Sequence, residues 1–180
     1  MLVSKGLQSG NLGIAVLLTP IRLFAVCVVP LLLMMFMAHA VADDNPDRDQ
    51  EVMSVLDQFM KSLNQLDIVA HTDTMHFPHF RHTKGDVVVL ESPEDYFPYL
   101  DLPQAQRREK LRNVLGAQWD HSEWASREIV QTSPAKVHVA TTFVRFRKDG
   151  SEIGAFDSLY ILTFEGGRWA IKGRSSFAPR

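Results

Sequence analysis

The alternation of apolar and polar residues is most regular near the C-terminus, across residues 135–177. It has the two-residue period of a β-strand, and it is interrupted at Asp149-Gly150 and at Gly166-Gly167. Such dipeptides favour tight β-hairpin turns, because both central residues of a type I′ turn need positive φ. The pattern therefore predicts three antiparallel strands, over 136–147, 152–165 and 168–177.

Two-residue turns also predict which side chains share a face of the sheet, since side chains alternate between faces. One face is aromatic and mostly apolar, and we assign it to the core: Val137, Val139, Thr141, Phe143, Arg145, Phe156, Ser158, Tyr160, Leu162, Phe164, Trp169, Ile171, Gly173, Ser175 and Phe177. The other face carries a charge cluster, Asp157, Lys172 and Arg174. It also carries an apolar patch that predicts partial cover by another subunit: Val144, Ile153, Ala155, Leu159 and Ile161. A single β-bulge would invert part of this assignment.

Upstream, apolar residues recur at helical spacing after Asn45-Pro46, a typical helix start, and continue to about Leu66. Asp67 can cap a short helix over 68–74 that ends before the Phe77-Pro78 step. The remaining pattern predicts a hairpin over 76–90, a capped helix from Ser92, a helix over 104–115 and a strand over 125–132. This order predicts an α+β fold with helices on one face of a bent sheet.

The first 42 residues differ from the rest in composition. Lys5 and Arg22 are their only charges, residues 23–38 form an uncharged apolar run, and two small-x-small sites follow at 38–42. The run is short for a spanning helix and is typical of a secretory signal peptide. The sequence predicts a signal peptide over 1–42, a single domain over 43–180 and a periplasmic or secreted protein. An uncleaved membrane anchor and a misassigned start codon on a cytosolic protein are the alternatives.

Charge and cysteine content narrow the classes of partner. The chain has a net charge of −2, and residues 1–42 carry basic but no acidic side chains, so residues 43–180 are more acidic still. An acidic domain argues against nucleic acid as a partner. The single cysteine, Cys27, lies in the predicted signal peptide, so neither a disulfide nor thiolate chemistry is expected in the domain.

The chain resembles the nuclear transport factor 2-like superfamily, and more narrowly the bacterial SnoaL-like proteins of undefined function. The resemblance covers residues 47–178 and rests on the element order and on five motifs: His76-Phe-Pro-His-Phe-Arg81, Gly85-Asp-Val-Val-Val89, Trp119-Asp-His-Ser122, Phe156-Asp-Ser-Leu-Tyr160 and Arg174-Ser-Ser-Phe-Ala178. It implies a cone-shaped fold, with a curved antiparallel sheet, helices on its concave face and a cavity between them. It also implies a homodimer through the outer sheet face. The superfamily includes ketosteroid isomerase, polyketide cyclases, scytalone dehydratase, small-molecule binders and dimerisation modules, so the activity stays open.

Relatives use Asp, His and Tyr in such a cavity, and several residues here are candidates for that role. Tyr160 is central on the core face, and its hydroxyl needs a partner, which is a ligand, a histidine or a core acceptor. Trp119 and His121 suit a planar ligand, or else are a core anchor and a surface histidine. The expected ligand-binding residues are His76, His79, Arg81, Trp119, His121, Arg145, Ser158 and Tyr160. The candidates for catalysis are His79, Tyr160 and His121.

Two other chemistries are less well supported. In an extended segment His79 points opposite to His76 and His82, and no Asp, Glu or Cys stands at ligand spacing, so no metal site is expected. Asp157 is expected on the outer face in a structural salt bridge rather than as a catalytic base. The core face then lacks the carboxylate that the isomerase relatives use as a base.

Three functions remain. The first is binding of a small, largely apolar or planar molecule in the cavity. The second is a cofactor-free lyase, isomerase or cyclase reaction, in which a histidine moves a proton and Tyr160 or Arg145 stabilises an enolate-like oxygen. The third is an association module whose cavity is filled by its own side chains. No cofactor is expected in any of them.

Overall fold

A computed structural model describes residues 45–179. The predicted signal peptide over 1–42 lies outside the described residues. The elements, in chain order, are α1 Pro46–Asn64, α2 Ile68–Thr72, β1 Met75–Thr83, β2 Asp86–Leu90, α3 Pro93–Tyr96, α4 Gln104–Leu115, β3 His121–Ser133, β4 Lys136–Phe146, β5 Glu152–Glu165 and β6 Arg168–Ser176. Within 45–179, none of the helices has the length and apolar character needed to cross a bilayer.

Helix α1 begins where the sequence predicts it. The Asn45 side chain accepts a hydrogen bond from the backbone N–H of Arg48 over 3.1 Å, and Pro46 occupies the first helical position, where no N–H is needed. Asp67 caps α2 in the same way, by accepting from the N–H of Ala70 over 3.2 Å. Both predicted helix starts are confirmed.

The six strands form one sheet in the order β2-β1-β6-β5-β4-β3. Neighbouring strands are antiparallel except for β1 and β6, which pair in parallel. The sheet, which was expected to be antiparallel, is therefore mixed, and we call its one parallel pair, β1 with β6, the parallel seam. The last strand of the chain occupies an interior position, between the β1/β2 hairpin and the β3-β4-β5 meander.

The predicted register of β4 against β5 is confirmed from Lys136 to Arg145. That of β5 against β6 holds up to the pair Leu162–Ile171 and then shifts by one residue at Lys172. This β-bulge inverts the faces of the remaining residues of β6. Arg174, expected on the outer face, lies opposite Tyr160 on the core face.

The same bulge moves Gly173 and Ser175 from the core face to the outer face, where they pair with Ile161 and Leu159. The ring of Phe80 covers Gly173 so closely that a Cβ at this position would overlap it. Gly173 therefore leaves space for the ring of Phe80.

The other differences from the expected pattern lie at or near the ends of helices and strands. Pro78 lies inside β1, and α2 ends earlier, at Thr72. Strand β3 is longer than the predicted 125–132. Phe164 is 44% exposed beside a hairpin turn and Phe177 is 72% exposed beyond β6, so neither belongs to the core.

The core consists of two apolar clusters. In the larger one, Val52, Leu56 and Phe59 of α1 pack on the sheet face that carries Val139 and Tyr160. The smaller one joins the α1–α2 region to α4 and contains Leu66, Ile68, Phe97, Leu111 and Trp119. Members of both clusters line one cavity, which is the candidate site.

Candidate functional site

A cavity of about 350 Å³ lies between the two core clusters. Most of its wall is apolar and is contributed by helices and the loop after α3: Phe59, Leu63, Ile68, Phe97, Leu111 and Leu115. A wall of this kind favours a ligand with an apolar body, and its few polar groups determine which functional group the ligand can carry.

Three arginines enter this wall from three strands: Arg81 from β1, Arg145 from β4 and Arg174 from β6. The parallel pairing of β1 with β6 places Arg81 directly beside Arg174. Arg174 in turn faces Tyr160 on β5. The sheet therefore brings three cationic groups to one side of the cavity.

Tyr160 is 1% exposed and is held by aromatic neighbours, with its ring centroid 5.6 Å from that of Phe59 and 5.7 Å from that of Trp124. Its hydroxyl oxygen accepts a hydrogen bond from Nη1 of Arg174 over 3.0 Å. Among residues 45–179 no group accepts the phenolic proton of Tyr160. This proton is therefore available to a ligand in the cavity.

Arg145 stacks on aromatic rings, with its guanidinium carbon 5.0 Å from the centroid of Phe156 and 5.9 Å from that of Phe143. Its Nε atom is buried and has no hydrogen-bond partner within the described part of the chain. Cation–π contact stabilises the charge but does not satisfy the N–H. Burial lowers the pKa of Arg145, and repulsion from Arg174 lowers it further.

Arg81, like Arg145, contacts an aromatic ring and has a lowered pKa. Its guanidinium carbon lies 6.0 Å from the ring centroid of Tyr96. Burial, and then repulsion from Arg174, lower the pKa of its guanidinium. Over residues 45–179, none of the three arginines forms an ion pair, and no described residue of the cavity wall is Asp or Glu.

His71 of α2 also reaches the wall, and sequence reasoning did not select it for the site. Its Nδ1–H donates to the carbonyl oxygen of Phe59 over 3.1 Å, so Nε2 is the acceptor for the hydroxyl of Tyr96 at 3.3 Å. Burial lowers the pKa of His71 to about 3. The imidazole is therefore neutral at physiological pH, and it holds the Tyr96 hydroxyl in place.

His79 and His76 are both buried on β1, contrary to the expected opposite orientation. The pairing of β1 with β6 is irregular between Met75 and Phe80, which breaks the strict alternation of side chains. The Nδ1–H of His79 donates to the carbonyl oxygen of Ile171 over 3.2 Å, and burial lowers its pKa to about 4. His79 borders a smaller cleft beside the main cavity, and His76 bonds to the carbonyl oxygen of Arg168 instead.

Three other expected binding residues lie outside the cavity wall. The indole N–H of Trp119 donates to Ser122 Oγ over 3.0 Å within the smaller core cluster. The imidazole of His121 is partly exposed between Asp120, at 2.9 Å, and Glu123, at 3.5 Å. Ser158 donates to the hydroxyl of Ser176 over 2.9 Å. Of the eight expected residues, the main cavity thus collects Arg81, Arg145 and Tyr160.

The expected charge cluster on the outer face is also different. Lys172 pairs with Glu165 at 3.2 Å, and Asp157 accepts a hydrogen bond from Thr142 over 2.7 Å. Arg174 has left this face because of the bulge. Gly173 was a signal for this change, since an isolated glycine within a strand pattern often marks a bulge.

Among residues 45–179, no group of three or more His, Cys, Asp or Glu side chains is arranged to hold a metal ion.

Comparison with known proteins identifies the fold. The sequence model of the family "NTF2-like protein (DUF6841)" matches residues 49–176. No curated protein matches this chain. A protein of unknown function with a cystatin-like fold from Nostoc punctiforme is 12% identical with a TM-score of 0.56, covering 74% of this chain and 92% of its own.

Two further solved structures agree. An NTF2-like protein of unknown function from Pseudomonas putida is 12% identical with a TM-score of 0.56, covering 75% of this chain and 89% of its own. An NTF2-like protein with a cystatin-like fold from Novosphingobium aromaticivorans is 10% identical with a TM-score of 0.53, covering 88% and 91%. At these identities the likeness shows the fold, which confirms the predicted NTF2-like α+β architecture.

Proposed function

This chain belongs to the NTF2-like family DUF6841, and on that premise we propose that it binds a small, largely apolar molecule in the cavity between its helices and its sheet. The observation that carries the proposal is the cavity itself. Its volume of about 350 Å³ lies within the range of about 300–1,000 Å³ that is usual for small-molecule sites. Its apolar wall and the unpaired proton of Tyr160 suit such a ligand.

Binding is better supported than the isomerase or lyase alternative. That chemistry needs a base of suitable strength at the substrate. No described residue of the wall is Asp or Glu, and the pKa of about 3 makes His71 a weak proton acceptor. His71 Nε2 is in addition already occupied by the Tyr96 hydroxyl.

Binding is also better supported than an association module with a filled interior. Side chains of the described residues leave the space between Phe59, Leu111 and Tyr160 empty. They also leave Arg145 Nε without an acceptor, and the Tyr160 hydroxyl accepts from Arg174 while no described group accepts its own proton. A purely structural interior would satisfy such groups internally.

Two wider features belong to the same proposal. We propose that residues 1–42 direct export to the periplasm, and that a homodimer forms through the outer sheet face. The apolar patch on that face supports the second point, since Leu159 and Ile161 are only partly buried there and Ile153 of the same strand is 36% exposed. N-terminal sequencing of the secreted protein and sedimentation equilibrium test the two features independently of ligand binding.

Native mass spectrometry of the gently purified protein tests the binding proposal. We expect twice the subunit mass together with an additional small mass, which organic extraction then identifies. In parallel, a panel of apolar ketones and acids should raise the melting temperature. Absence of both the extra mass and any thermal shift would overturn the proposal.

A cavity-filling variant locates the binding. Leu63→Trp places a large ring into the wall at a partly exposed position, so it should abolish the thermal shift with little loss of stability. Val130→Trp is the matched control, because Val130 is exposed on the edge strand β3 and is not part of the wall. Equal thermal shifts in the two variants would place the binding elsewhere.

A further inference from the structure

The three arginines of the cavity form an arrangement that the apolar wall does not explain. Arg81, Arg145 and Arg174 come from separate strands and meet at one side of an otherwise apolar space. Each is removed at least in part from water. Repulsion from Arg174 lowers the pKa of Arg81 and that of Arg145, which opposes this grouping, whereas Tyr160 and Tyr96 raise the pKa of Arg174 despite its burial. Buried cations in proteins are normally paired with an anion, because desolvation of an unpaired charge is unfavourable.

No described residue supplies that anion. Over residues 45–179 none of the three arginines has a carboxylate partner, and the wall contains neither Asp nor Glu. The described partners are aromatic: Tyr96 for Arg81, Phe156 for Arg145 and Tyr160 for Arg174. Aromatic faces stabilise a cation without accepting its N–H bonds, so most donors stay available.

The hydrogen-bond donors of the cavity wall that lack acceptors also favour an anionic ligand group. Arg145 Nε is buried without a partner, and the Tyr160 hydroxyl accepts from Arg174 while its own proton has no acceptor in the described chain. The nearby Tyr96 hydroxyl donates to His71 Nε2. This side of the cavity therefore offers donors in excess of acceptors, and a matching ligand group must be an acceptor.

We propose that Arg81, Arg145 and Arg174 form a subsite for a carboxylate, and that the ligand is an organic acid with an apolar body. This inference rests on the proposed function and names its ligand class. A carboxylate suits the site because its two oxygens accept parallel bonds from a planar guanidinium, while the attached body contacts Phe59 and Leu111. Inorganic phosphate shares the charge but has no apolar part to bury.

Matched pairs of ligands test the charge requirement by isothermal titration calorimetry at pH 7.5. The probes are hexanoate with hexanamide, phenylacetate with phenylacetamide, and inorganic phosphate alone. We expect each acid to bind at least about tenfold more tightly than its amide, as charge-assisted hydrogen bonds require. Phosphate should neither bind at comparable strength nor displace the acids, and phosphate that does so would overturn the carboxylate assignment.

Variants of the arginines test which side chains account for the preference for acids over amides. Arg145→Gln should weaken acid binding about tenfold or more while leaving amide binding within about twofold. Arg108→Gln is the matched control, since it makes the same charge change on the exposed surface of α4. Arg81→Gln is the second variant, with the same expected result, in case Arg145→Gln does not fold.

The outcomes separate the two proposals. If amides bind as tightly as acids, or if Arg145→Gln and Arg81→Gln retain the preference for acids, the carboxylate subsite is wrong and the cavity remains a binding site. If no acid, amide or ketone binds at all, the proposed function fails, and the subsite fails with it.

Discussion

Arg174 and Tyr160 face each other across strands β6 and β5, and the arginine donates to the phenolic oxygen over 3.0 Å. The guanidinium carbon also lies 5.6 Å from the ring centroid of Tyr160. One side chain therefore holds the other in position. The arginine is fixed at the cavity wall, and the tyrosine keeps its own proton for a ligand.

Replacing this tyrosine tests the coupling. Tyr160→Phe preserves the packing against Phe59 and Trp124 but removes the acceptor of Arg174. We expect the free energy of unfolding to fall by about 1–3 kcal/mol, because a buried charged donor loses its partner. Denaturant titration measures the change. Tyr99→Phe, at a 39% exposed position, is the control and should change stability by less than about 0.5 kcal/mol; equal losses in both variants would contradict the account.

Removal of Arg145 should instead raise the free energy of unfolding of the ligand-free protein. Arg145→Met keeps a long apolar side chain on Phe156 and removes a buried N–H that has no partner. The ligand-free protein should gain about 1 kcal/mol, since an unsatisfied buried group is unfavourable, while acid binding is lost. Thermal unfolding and calorimetry measure the two effects. A variant that loses stability without ligand would show that Arg145 is a structural group.

Gly173 and Phe80 make a second testable pair. Gly173→Ala should destabilise the protein by about 1–3 kcal/mol, because the new methyl group overlaps the Phe80 ring. In a Phe80→Ala background the same substitution should have little effect. A double-mutant cycle by urea denaturation gives the coupling energy. Additive losses would mean that the two residues are not in contact.

Stability should depend on pH through His71 and His79. Their pKa values, lowered by burial to about 3 and about 4, lie below the ordinary value of 6.5. Between these limits the unfolded chain binds a proton and the folded chain does not, so the free energy of unfolding falls as pH drops below about 6.5. Linkage gives about 2 kcal/mol for each histidine between pH 7.5 and pH 5.

The variant His71→Gln isolates one of the two contributions. It removes the titrating group, so its stability deficit against the unmodified protein should narrow from pH 7.5 to pH 5. Chemical denaturation across this range provides the measurement. Parallel pH profiles would show that His71 is protonated equally in the folded and unfolded chain.

Much of the fold could be predicted because local signals determine it. The side chains of Asn45 and Asp67 accept the capping hydrogen bonds at the starts of α1 and α2. The Gly166-Gly167 turn sets the register of β5 against β6 over the first four pairs. Each of these signals acts within a few residues. Tyr160 could be selected for the same reason, since turn counting placed it at the centre of the core face.

The bulge at Lys172 could not be derived from alternation alone, and the isolated Gly173 is its local signal. Phe80 of β1 covers Gly173 across the parallel seam, which no local pattern specifies. Because of the bulge, Arg174 lies on the core face and lines the cavity. His71 was missed for a similar reason, since its partners Phe59 and Tyr96 lie on different elements.

The interior position of β6 determines when the sheet can be completed. The β1/β2 hairpin and the β3-β4-β5 meander emerge first, but the strand that joins them is translated last. Without β6 the remaining strands can form at most two separate half-sheets, whose unpaired edges would be β1 and β5. Contacts between segments so far apart in sequence form slowly and leave such edges exposed to aggregation. A polypeptide that ends before residue 168 would therefore lack both the β1–β6 pairing and Arg174.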